Sequence, residues 1–291
     1  MPELPEVETI RRDLESRVVG LTIEDVRLGD TLVIREPAPD AFAEGLRGCR
    51  IEEVSRRGKF LVLRLGRVLR TTSRVTPEVL SVVGAGLAPA RRDLVILPRM
   101  TGQLVYGADH PSAHIRMRLS DGNWLTYADQ RKFGEIRLVE DWRAVRGVSR
   151  MGPEPLNGGL TPDTWWRRLH ARRVRIKPLL LQQDFIAGIG NIYAQEALWE
   201  ASIRPTRRSD RLTRAEAIRL LTAIRRVLQE GIRRRGVSAR NYVDGLGRRG
   251  RMQGVLRVYR KGGRPCPRCG TSLTARAIGQ RGTVWCRSCQ T

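Results

Sequence analysis

A short acidic stretch opens this basic chain and contains the first residues that could do chemistry. In MPELPEVE, at residues 1–8, Pro2 stands close to Glu3 and Glu6. An initiator methionine is usually removed when a small residue such as proline follows, which would leave Pro2 with a free amine. An α-amine has a pKa of about 7.7–8.0, against about 10.4 for lysine, so it needs little tuning to act as a nucleophile in Schiff-base chemistry.

Two interpretations of this stretch are open. In one, Pro5 starts a helix and the acidic residues favour its positive end. In the other, Pro2 is a nucleophile, and Glu3 and Glu6 move protons around it. Neighbouring carboxylates favour the ammonium form of the amine. The second interpretation therefore requires a carboxylate that is protonated, or well placed, when it is needed.

The cysteines form a second set of reactive side chains. Four of the five lie in the pattern C-x₂-C-x₁₆-C-x₂-C, at Cys266, Cys269, Cys286 and Cys289. Two C-x₂-C pairs predict a tetrahedral Cys₄ site for one structural Zn²⁺, with no open position for a reactive water. Disulfides are the alternative, disfavoured because no export signal is apparent. Cys49 is expected to be a small core residue.

The charge is unevenly distributed along the 291 residues. The net charge is +24, of which residues 1–150 contribute +4 and residues 151–291 contribute +20. Such a basic half predicts a polyanionic partner, and nucleic acid is the first candidate. The longest apolar stretch, residues 79–90, is too short to span a bilayer, so we expect a soluble, unexported protein of two domains with no membrane partner.

The first half has the pattern of one helix followed by strands. Residues 5–19 have apolar side chains at helical spacing, and Gly20 ends the segment. The segments 59–65 and 135–140 are predicted strands, and 114–128 predicts a hairpin that turns at Asp-Gly. A helix on a β-sandwich or barrel is expected.

Helices are predicted in the second half, after the Pro- and Gly-rich linker MGPEPLNGG (151–159). They are expected from Thr161, over 177–183, over 191–201, and from the capping box of Thr213 and Glu216 up to Gly236. The buried stripe of the last helix should comprise Ile218, Leu221, Ile224, Leu228 and Ile232. Residues 236–263, polar and glycine-rich, are expected to form a mobile loop.

Three further segments could contact a nucleic acid. GIGN (188–191) leads into a helix with Asn191 at its cap, where backbone amides could bind phosphate; a nucleotide loop or a tight turn between helices is the alternative. RMTG and DQRKFG offer Met100, Arg131 and Phe133, and Met and Phe can replace an extruded base in a DNA stack. An isolated Met or Phe is more often a core residue, and His114 alone is more often structural.

Six motifs together resemble the formamidopyrimidine-DNA glycosylase family. They are MPELPEVET, RRGKF (56–60), RMTG (99–102), GPEPL (152–156), GIGNIYA (188–194) and the finger ending in WCRSCQ. Their order and spacing cover nearly the whole chain. Glu-Leu-Pro at 3–5 resembles this branch more than the related endonuclease VIII branch, which typically has Glu-Gly-Pro.

The resemblance implies an α+β multidomain fold and a set of roles. The implied domains are a catalytic helix-plus-β-sandwich domain (1–147), a linker (148–160), a helix-two-turn-helix domain (161–257) with a lesion-covering loop at about 236–257, and a zinc finger (258–291). The implied catalytic residues are Pro2, which would form an iminium with C1′ of the damaged nucleotide, Glu3, Glu6, Lys59 and Arg281. The implied DNA-binding residues are Met100, His114, Arg131, Phe133, Lys177 and Asn191. We expect Arg281 to clamp a phosphate, because a guanidinium stays charged at any working pH.

Three departures from the family pattern bear on efficiency and lesion preference. Residues 68–93 look like an insertion. Leu97 stands where a histidine is more usual, and Gln130 and Lys132 stand where the family usually shows proline and arginine.

The expected function is a bifunctional glycosylase and abasic-site lyase of base-excision repair. It would act as a monomer, without an organic cofactor, on double-stranded DNA that contains oxidised purines, in the bacterial cytoplasm at the nucleoid. The alternative is a non-catalytic protein that binds damaged or abasic DNA and has been disabled by the insertion.

Overall fold

The first helix of the structure packs against both halves of the protein. In this computed structural model, residues 2–67, 91–110, 112–238 and 241–291 are described. Helix α1 runs over Leu4–Val18, with Pro5 in its first turn and Glu6 accepting a hydrogen bond from the Glu3 amide at 2.8 Å. Leu4 packs in the core of the helical half, whereas later residues of α1 pack in the sandwich core. The helix therefore connects the two halves.

Two sheets pack face to face in the first half, as the alternating pattern predicted. The four-stranded sheet has the order β1-β7-β8-β6, and the five-stranded sheet has the order β2-β9-β5-β4-β3. In the latter, β2 and β9 are parallel, and the pairs β9–β5, β5–β4 and β4–β3 are antiparallel. Their strands are β1 Ile23–Leu28, β2 Ile34–Glu36, β3 Cys49–Arg57, β4 Phe60–Arg67, β5 Arg92–Leu97, β6 Gly102–Gly107, β7 Ile115–Leu119, β8 Trp124–Asp129 and β9 Glu135–Val139. Short helices α2 (Pro39–Leu46) and α3 (Arg146–Ser149) flank them.

Side chains from the inner faces of the two sheets form one apolar core with α1. Cys49 is buried in it, as expected. The predicted hairpin is β7–β8, and Gly122 lies in its turn with φ +83°, a conformation that glycine adopts at low cost.

The second half is helical and ends in a two-stranded finger. Its elements are α4 Pro162–His170, α5 Ile176–Leu180, α6 Asn191–Glu200, α7 Arg214–Arg233, β10 Thr274–Ile278 and β11 Arg281–Trp285. Thr161 caps α4 and Thr213 caps α7 in a capping box with Glu216, as the sequence predicted. No helix among the described residues is long and apolar enough to cross a membrane.

Two details of the helical half differ from the sequence-based expectations. Ile218, placed in the buried stripe of α7, is 38% exposed, and Ala217 and Leu220 take its place against α4 and α6. The described part of 236–263 is held by many hydrogen bonds and includes a 3₁₀ turn at Met252–Val255. Of the proposed insertion, residues 68–90 lie outside the described residues.

A buried ion pair joins the linker to the sandwich. Glu154, in GPEPL, accepts hydrogen bonds from Arg56 at 2.7 and 3.0 Å and from the Gly58 amide at 2.6 Å. Both side chains are buried, with exposures of 2% for Glu154 and 8% for Arg56. The linker thereby holds the β3–β4 turn next to Lys59.

Glu154→Gln should destabilise the fold strongly. Arg56 keeps a second partner, Glu8 at 3.1 Å, so the expected cost is that of losing buried hydrogen bonds to a charged group, about 1.5–3 kcal/mol. The free energy of unfolding from urea titration measures this. Glu53→Gln is the control, because Glu53 pairs with Arg64 at the surface with 46% of its side chain exposed, and such pairs contribute about 0–1 kcal/mol. Equal losses in the two variants would contradict this assignment.

Candidate active site

A cleft of about 820 Å³ lies between the two halves. Residues from both ends of the chain line it, and the majority of the catalytic and DNA-binding candidates named from the sequence are among them. They are Pro2, Glu3, Lys59, Met100, Arg131, Phe133, Asn191 and Arg281. Candidates that are far apart in sequence thus share one concave surface.

The Glu3 carboxylate binds the N-terminus of α6. It accepts hydrogen bonds from the amides of Gly190 at 2.7 Å, Ile192 at 2.9 Å and Tyr193 at 3.3 Å. An anion is favoured there because these amides have no partner within the helix and the helix dipole is positive at that end. The sequence predicted that the backbone amides at GIGN bind a phosphate. In the structure, the amides at this helix start bind the Glu3 carboxylate of the same chain instead.

Asn191 does not cap this helix, which corrects the sequence-based expectation. The residue at the N-cap is Gly190, and Asn191 is the first helical residue. A Cβ on Gly190 would collide with the Glu3 carboxylate, so only glycine allows this approach. The Asn191 side-chain amide donates to the Gly282 carbonyl in the finger at 3.2 Å, while the residue lines the cleft.

Glu6 lies behind Glu3 and is almost completely buried. Besides the Glu3 amide, it accepts hydrogen bonds from the Tyr193 hydroxyl at 2.9 Å and from the Val237 amide at 2.8 Å. Burial, together with the charge of Glu3, raises the pKa of Glu6 from 4.5 to about 7. This carboxyl group can therefore exchange a proton near neutral pH.

Lys59 follows the tight β3–β4 turn, where Gly58 has φ +57°. A Cβ on Gly58 would also collide with Met151, so this turn requires glycine. Burial lowers the pKa of Lys59, and Arg281 lowers it further, whereas Glu3 and Glu6 oppose these effects. An amine with a lowered pKa exchanges protons more readily near neutrality.

The three wedge candidates lie on two adjacent loops and contact each other. Met100 is 44% exposed and Phe133 is 51% exposed, so neither is a core residue. The Arg131 guanidinium lies 4.6 Å from the centre of the Phe133 ring and donates to the Met100 sulfur at 3.2 Å. Exposed apolar tips on a rigid turn suit insertion into a base stack.

Asp129 holds both wedge loops, a role that was not recognised from the sequence. Its buried carboxylate accepts hydrogen bonds from the Thr101 hydroxyl, from the Arg131 amide at 3.2 Å and from the Gly134 amide at 2.6 Å. Asp in DQRKFG was a possible signal, since Asp often accepts from nearby backbone amides in turns.

His114 and Lys177 lie outside this cleft lining. The His114 Nε2 atom is 2.8 Å from the Asp129 carbonyl oxygen, so it supports the start of the wedge loop. Lys177 is completely buried and donates to the Thr283 hydroxyl at 2.7 Å. Burial, with Arg281 nearby, lowers the pKa of Lys177 to about 8.

The four finger cysteines are arranged for a metal. The sulfur atoms of Cys266, Cys269, Cys286 and Cys289 all lie within 4.8 Å of one another. Four thiolates that can converge in this way fit tetrahedral Zn²⁺. The β10–β11 hairpin carries Arg281 from this site into the cleft.

Three family models match successive parts of the chain. They describe the formamidopyrimidine-DNA glycosylase N-terminal domain over residues 1–136, the H2TH domain of that protein over 151–242, and a zinc finger found in FPG and IleRS over 263–291. The matched ranges follow the order sandwich, helices, finger.

Relatives and solved structures match along the whole chain. A formamidopyrimidine-DNA glycosylase of Pelotomaculum thermopropionicum is 42% identical, with 100% of this chain and 99% of the relative covered. The Lactococcus lactis Fpg in complex with DNA containing an abasic site is 31% identical with a TM-score of 0.84, and 99% of each chain is covered. The Fpg protein of Thermus thermophilus is 34% identical with a TM-score of 0.81, and 99% and 98% of the chains are covered.

Glu6 should make stability fall as the pH rises towards neutrality. Its pKa is 4.5 in the unfolded chain and about 7 when folded, so the unfolded state ionises first. A raised pKa contributes stability that is complete below the unfolded value and is lost as the pH rises through the folded value. The loss is about 3 kcal/mol at about 1.36 kcal/mol per pH unit.

Unfolding free energies of the wild type and Glu6→Gln, measured at several pH values, test this. The advantage of the wild type should shrink by about that amount from about pH 4.5 to about pH 7.5. Glu53→Gln, at an exposed position, serves as the control. A difference that stays constant with pH would refute the proton exchange assigned to Glu6.

Proposed function

Since the chain belongs to the formamidopyrimidine-DNA glycosylase family, we propose that it excises oxidised purines from DNA and nicks the resulting abasic site, with Pro2 as the nucleophile. The observation that carries this proposal is the convergence of Pro2, Glu3, Lys59 and Arg281 on one cleft that also contains the wedge residues. The expected substrates are 8-oxoguanine and formamidopyrimidines in double-stranded DNA.

The first step is entry of the damaged nucleotide into the cleft. A base inside a duplex is out of reach, so it must be extruded at a cost of a few kcal/mol. Met100 and Phe133 would fill the gap it leaves, and Arg131 would face the remaining base. The basic second half, with its net charge of +20, offsets the cost through phosphate contacts.

Base removal then begins at the Pro2 amine. Its lone pair attacks C1′ of the nucleotide, and the bond between C1′ and the base breaks with its electron pair leaving on the base, which takes up a proton. Opening of the sugar ring gives an iminium between Pro2 and C1′. Because Pro2 is a secondary amine, this iminium has no N–H proton to lose and stays cationic.

Glu3 and Glu6 have different roles in the reaction. Both oxygens of Glu3 accept backbone hydrogen bonds, so Glu3 orients the start of α1 against α6. We assign the proton store to Glu6, because its pKa of about 7 makes both of its states accessible.

Strand cleavage uses the same iminium. The positive nitrogen acidifies the hydrogens on C2′, and loss of one of them expels the 3′ phosphate by β-elimination. Lys59, whose pKa is lowered, is suited to take that proton. A second elimination expels the 5′ phosphate, and water returns Pro2 as a free amine. Arg281 would clamp the phosphate during these steps.

The zinc ion holds the finger and takes no part in the reaction. Cys266, Cys269, Cys286 and Cys289 bind it, and it fixes the hairpin that presents Arg281. We further propose the domain boundaries given above, 1–147, 148–160, 161–257 and 258–291, and action as a monomer in the cytoplasm on bacterial nucleoid DNA. His114 and Lys177 would support DNA-contacting residues rather than touch the strand.

Borohydride trapping should capture Pro2 on damaged DNA. With a duplex that carries 8-oxoguanine opposite cytosine, reduction of the iminium should give a covalent complex that maps to residue 2 by mass spectrometry. Pro2→Gly retains only a primary amine and should trap at a much lower rate. Tight binding without an adduct, on this duplex and on an abasic one, would support the non-catalytic binder instead.

Asp129→Asn should impair base extrusion more than the later steps. The amide group of asparagine cannot accept from all of the donors that Asp129 satisfies, and an unpaired buried donor costs about 1–3 kcal/mol, roughly tenfold in rate. Excision of 8-oxoguanine from duplex DNA should fall about tenfold, whereas cleavage of a preformed abasic site in single-stranded DNA should change little. Asp121→Asn, in an exposed turn, is the control. An equal loss on both substrates would refute the assignment to the wedge.

A further inference from the structure

The C-terminal end of α6 packs against the finger cysteines. Trp199, the penultimate residue of α6, is only 8% exposed and shares an apolar cluster with Cys266 and Cys286. Val258, Leu273 and Val284 complete that cluster. One face of the metal site is therefore built from the helical domain.

The indole of Trp199 has a buried donor with no ordinary acceptor. Its Nε1 atom is buried without a hydrogen-bond partner of normal geometry among the described residues. The other members of its cluster are hydrocarbon side chains and the cysteines Cys266 and Cys286, so a cysteine sulfur is the acceptor that the cluster offers. A neutral thiol is a weak acceptor, and an unpaired buried N–H is costly, so this arrangement calls for a sulfur that carries negative charge.

Arg268 packs against the ring of Trp199, next to the cysteines. It stands between Cys266 and Cys269 in the chain, and its guanidinium lies 4.3 Å from the centre of the Trp199 ring. The same group donates to the Ser202 hydroxyl at 2.6 Å and to the Glu200 carbonyl at 3.4 Å. A cation is favoured at this helix end because the last carbonyls are unpaired and the dipole is negative there.

We propose that Trp199 is a positioning residue for the zinc site, donating its indole N–H to the metal-bound thiolate of Cys266. Zinc binding displaces the proton of the Cys266 thiol. The resulting thiolate is an anionic acceptor for the indole N–H of Trp199. The hydrogen bond holds the sulfur in its ligating position, so the ligand is slower to leave. Loss of such outer partners typically lowers metal affinity about 10- to 100-fold.

A matched pair of variants tests the hydrogen bond. Trp199→Phe keeps an aromatic ring in the cluster but removes the N–H. Trp166→Phe is the control: the indole N–H of Trp166 is also buried without a partner, but its ring lies 4.4 Å from His170 rather than near the cysteines. Zinc release to a chromogenic chelator should be about tenfold faster in Trp199→Phe, at the lower end of the range for such partners, and unchanged in Trp166→Phe.

Spectroscopy separates hydrogen bonding from packing. In the Co²⁺-substituted proteins, loss of a donor to sulfur should move the sulfur-to-cobalt charge-transfer bands of Trp199→Phe to lower energy. Trp166→Phe should keep the wild-type bands. Faster zinc release with unshifted bands, or no change in either measurement, would show that the ring only fills space and would overturn the proposal.

The wild-type protein provides a test that no folding defect can obscure. Loaded with ¹¹³Cd, it should show a scalar coupling between the metal and the indole proton of Trp199, transmitted through the Cys266 sulfur. A resolved indole signal without that coupling would also overturn the proposal. All three readouts are independent of DNA cleavage, so they stand or fall separately from the proposed function.

Discussion

The hydrogen bonds from the N-terminus of α6 to the Glu3 carboxylate hold the active site together. A helix N-terminus buried in a protein needs acceptors for its free amides, and Glu3 supplies them from a position 187 residues earlier in the chain. Because Glu3 follows Pro2 directly, the same contact places Pro2 at the cleft. The proposed nucleophile, Pro2, is thus positioned by the need of a helix in the other half of the protein for hydrogen-bond acceptors.

The rest of α6 extends this arrangement to the other parts of the site. Tyr193 binds Glu6, and Gln195 accepts a hydrogen bond from the Val284 amide in the finger at 2.7 Å. Glu196 accepts from the amides of residues 257–259 at 2.7–3.0 Å, and the last of these residues, Tyr259, lines the cleft. One ten-residue helix therefore contacts α1, the segment that follows α7, and the zinc finger. This explains why α6 has polar side chains that are buried rather than exposed.

The sequence predicted what depends on local patterns and missed what depends on distant partners. The bounds of α1, the Thr161 and Thr213 caps and the cysteine site follow from neighbouring residues, and the structure agrees with each. The acceptor at the GIGN turn could not be predicted, since a helix N-terminus looks the same whether phosphate or a distant carboxylate binds it. Ile218 illustrates a second limit, because a helical stripe fixes its face only to within one position. The structure also gives Lys132 a partner that is distant in sequence, Asp30, which periodicity could not reveal.

The acidic start of a basic chain now has a physical explanation. Two free carboxylates beside the cleft proposed to bind DNA would repel phosphates, and the protein avoids this in two different ways. The charge of Glu3 is compensated by three amides and by the dipole of α6. Glu6, with a pKa of about 7, is neutral in a large fraction of molecules at physiological pH. Repulsion is therefore small where the strand must approach. The helical and the catalytic interpretations of MPELPEVE are then compatible, because the residues that begin α1 also prepare the environment of the amine.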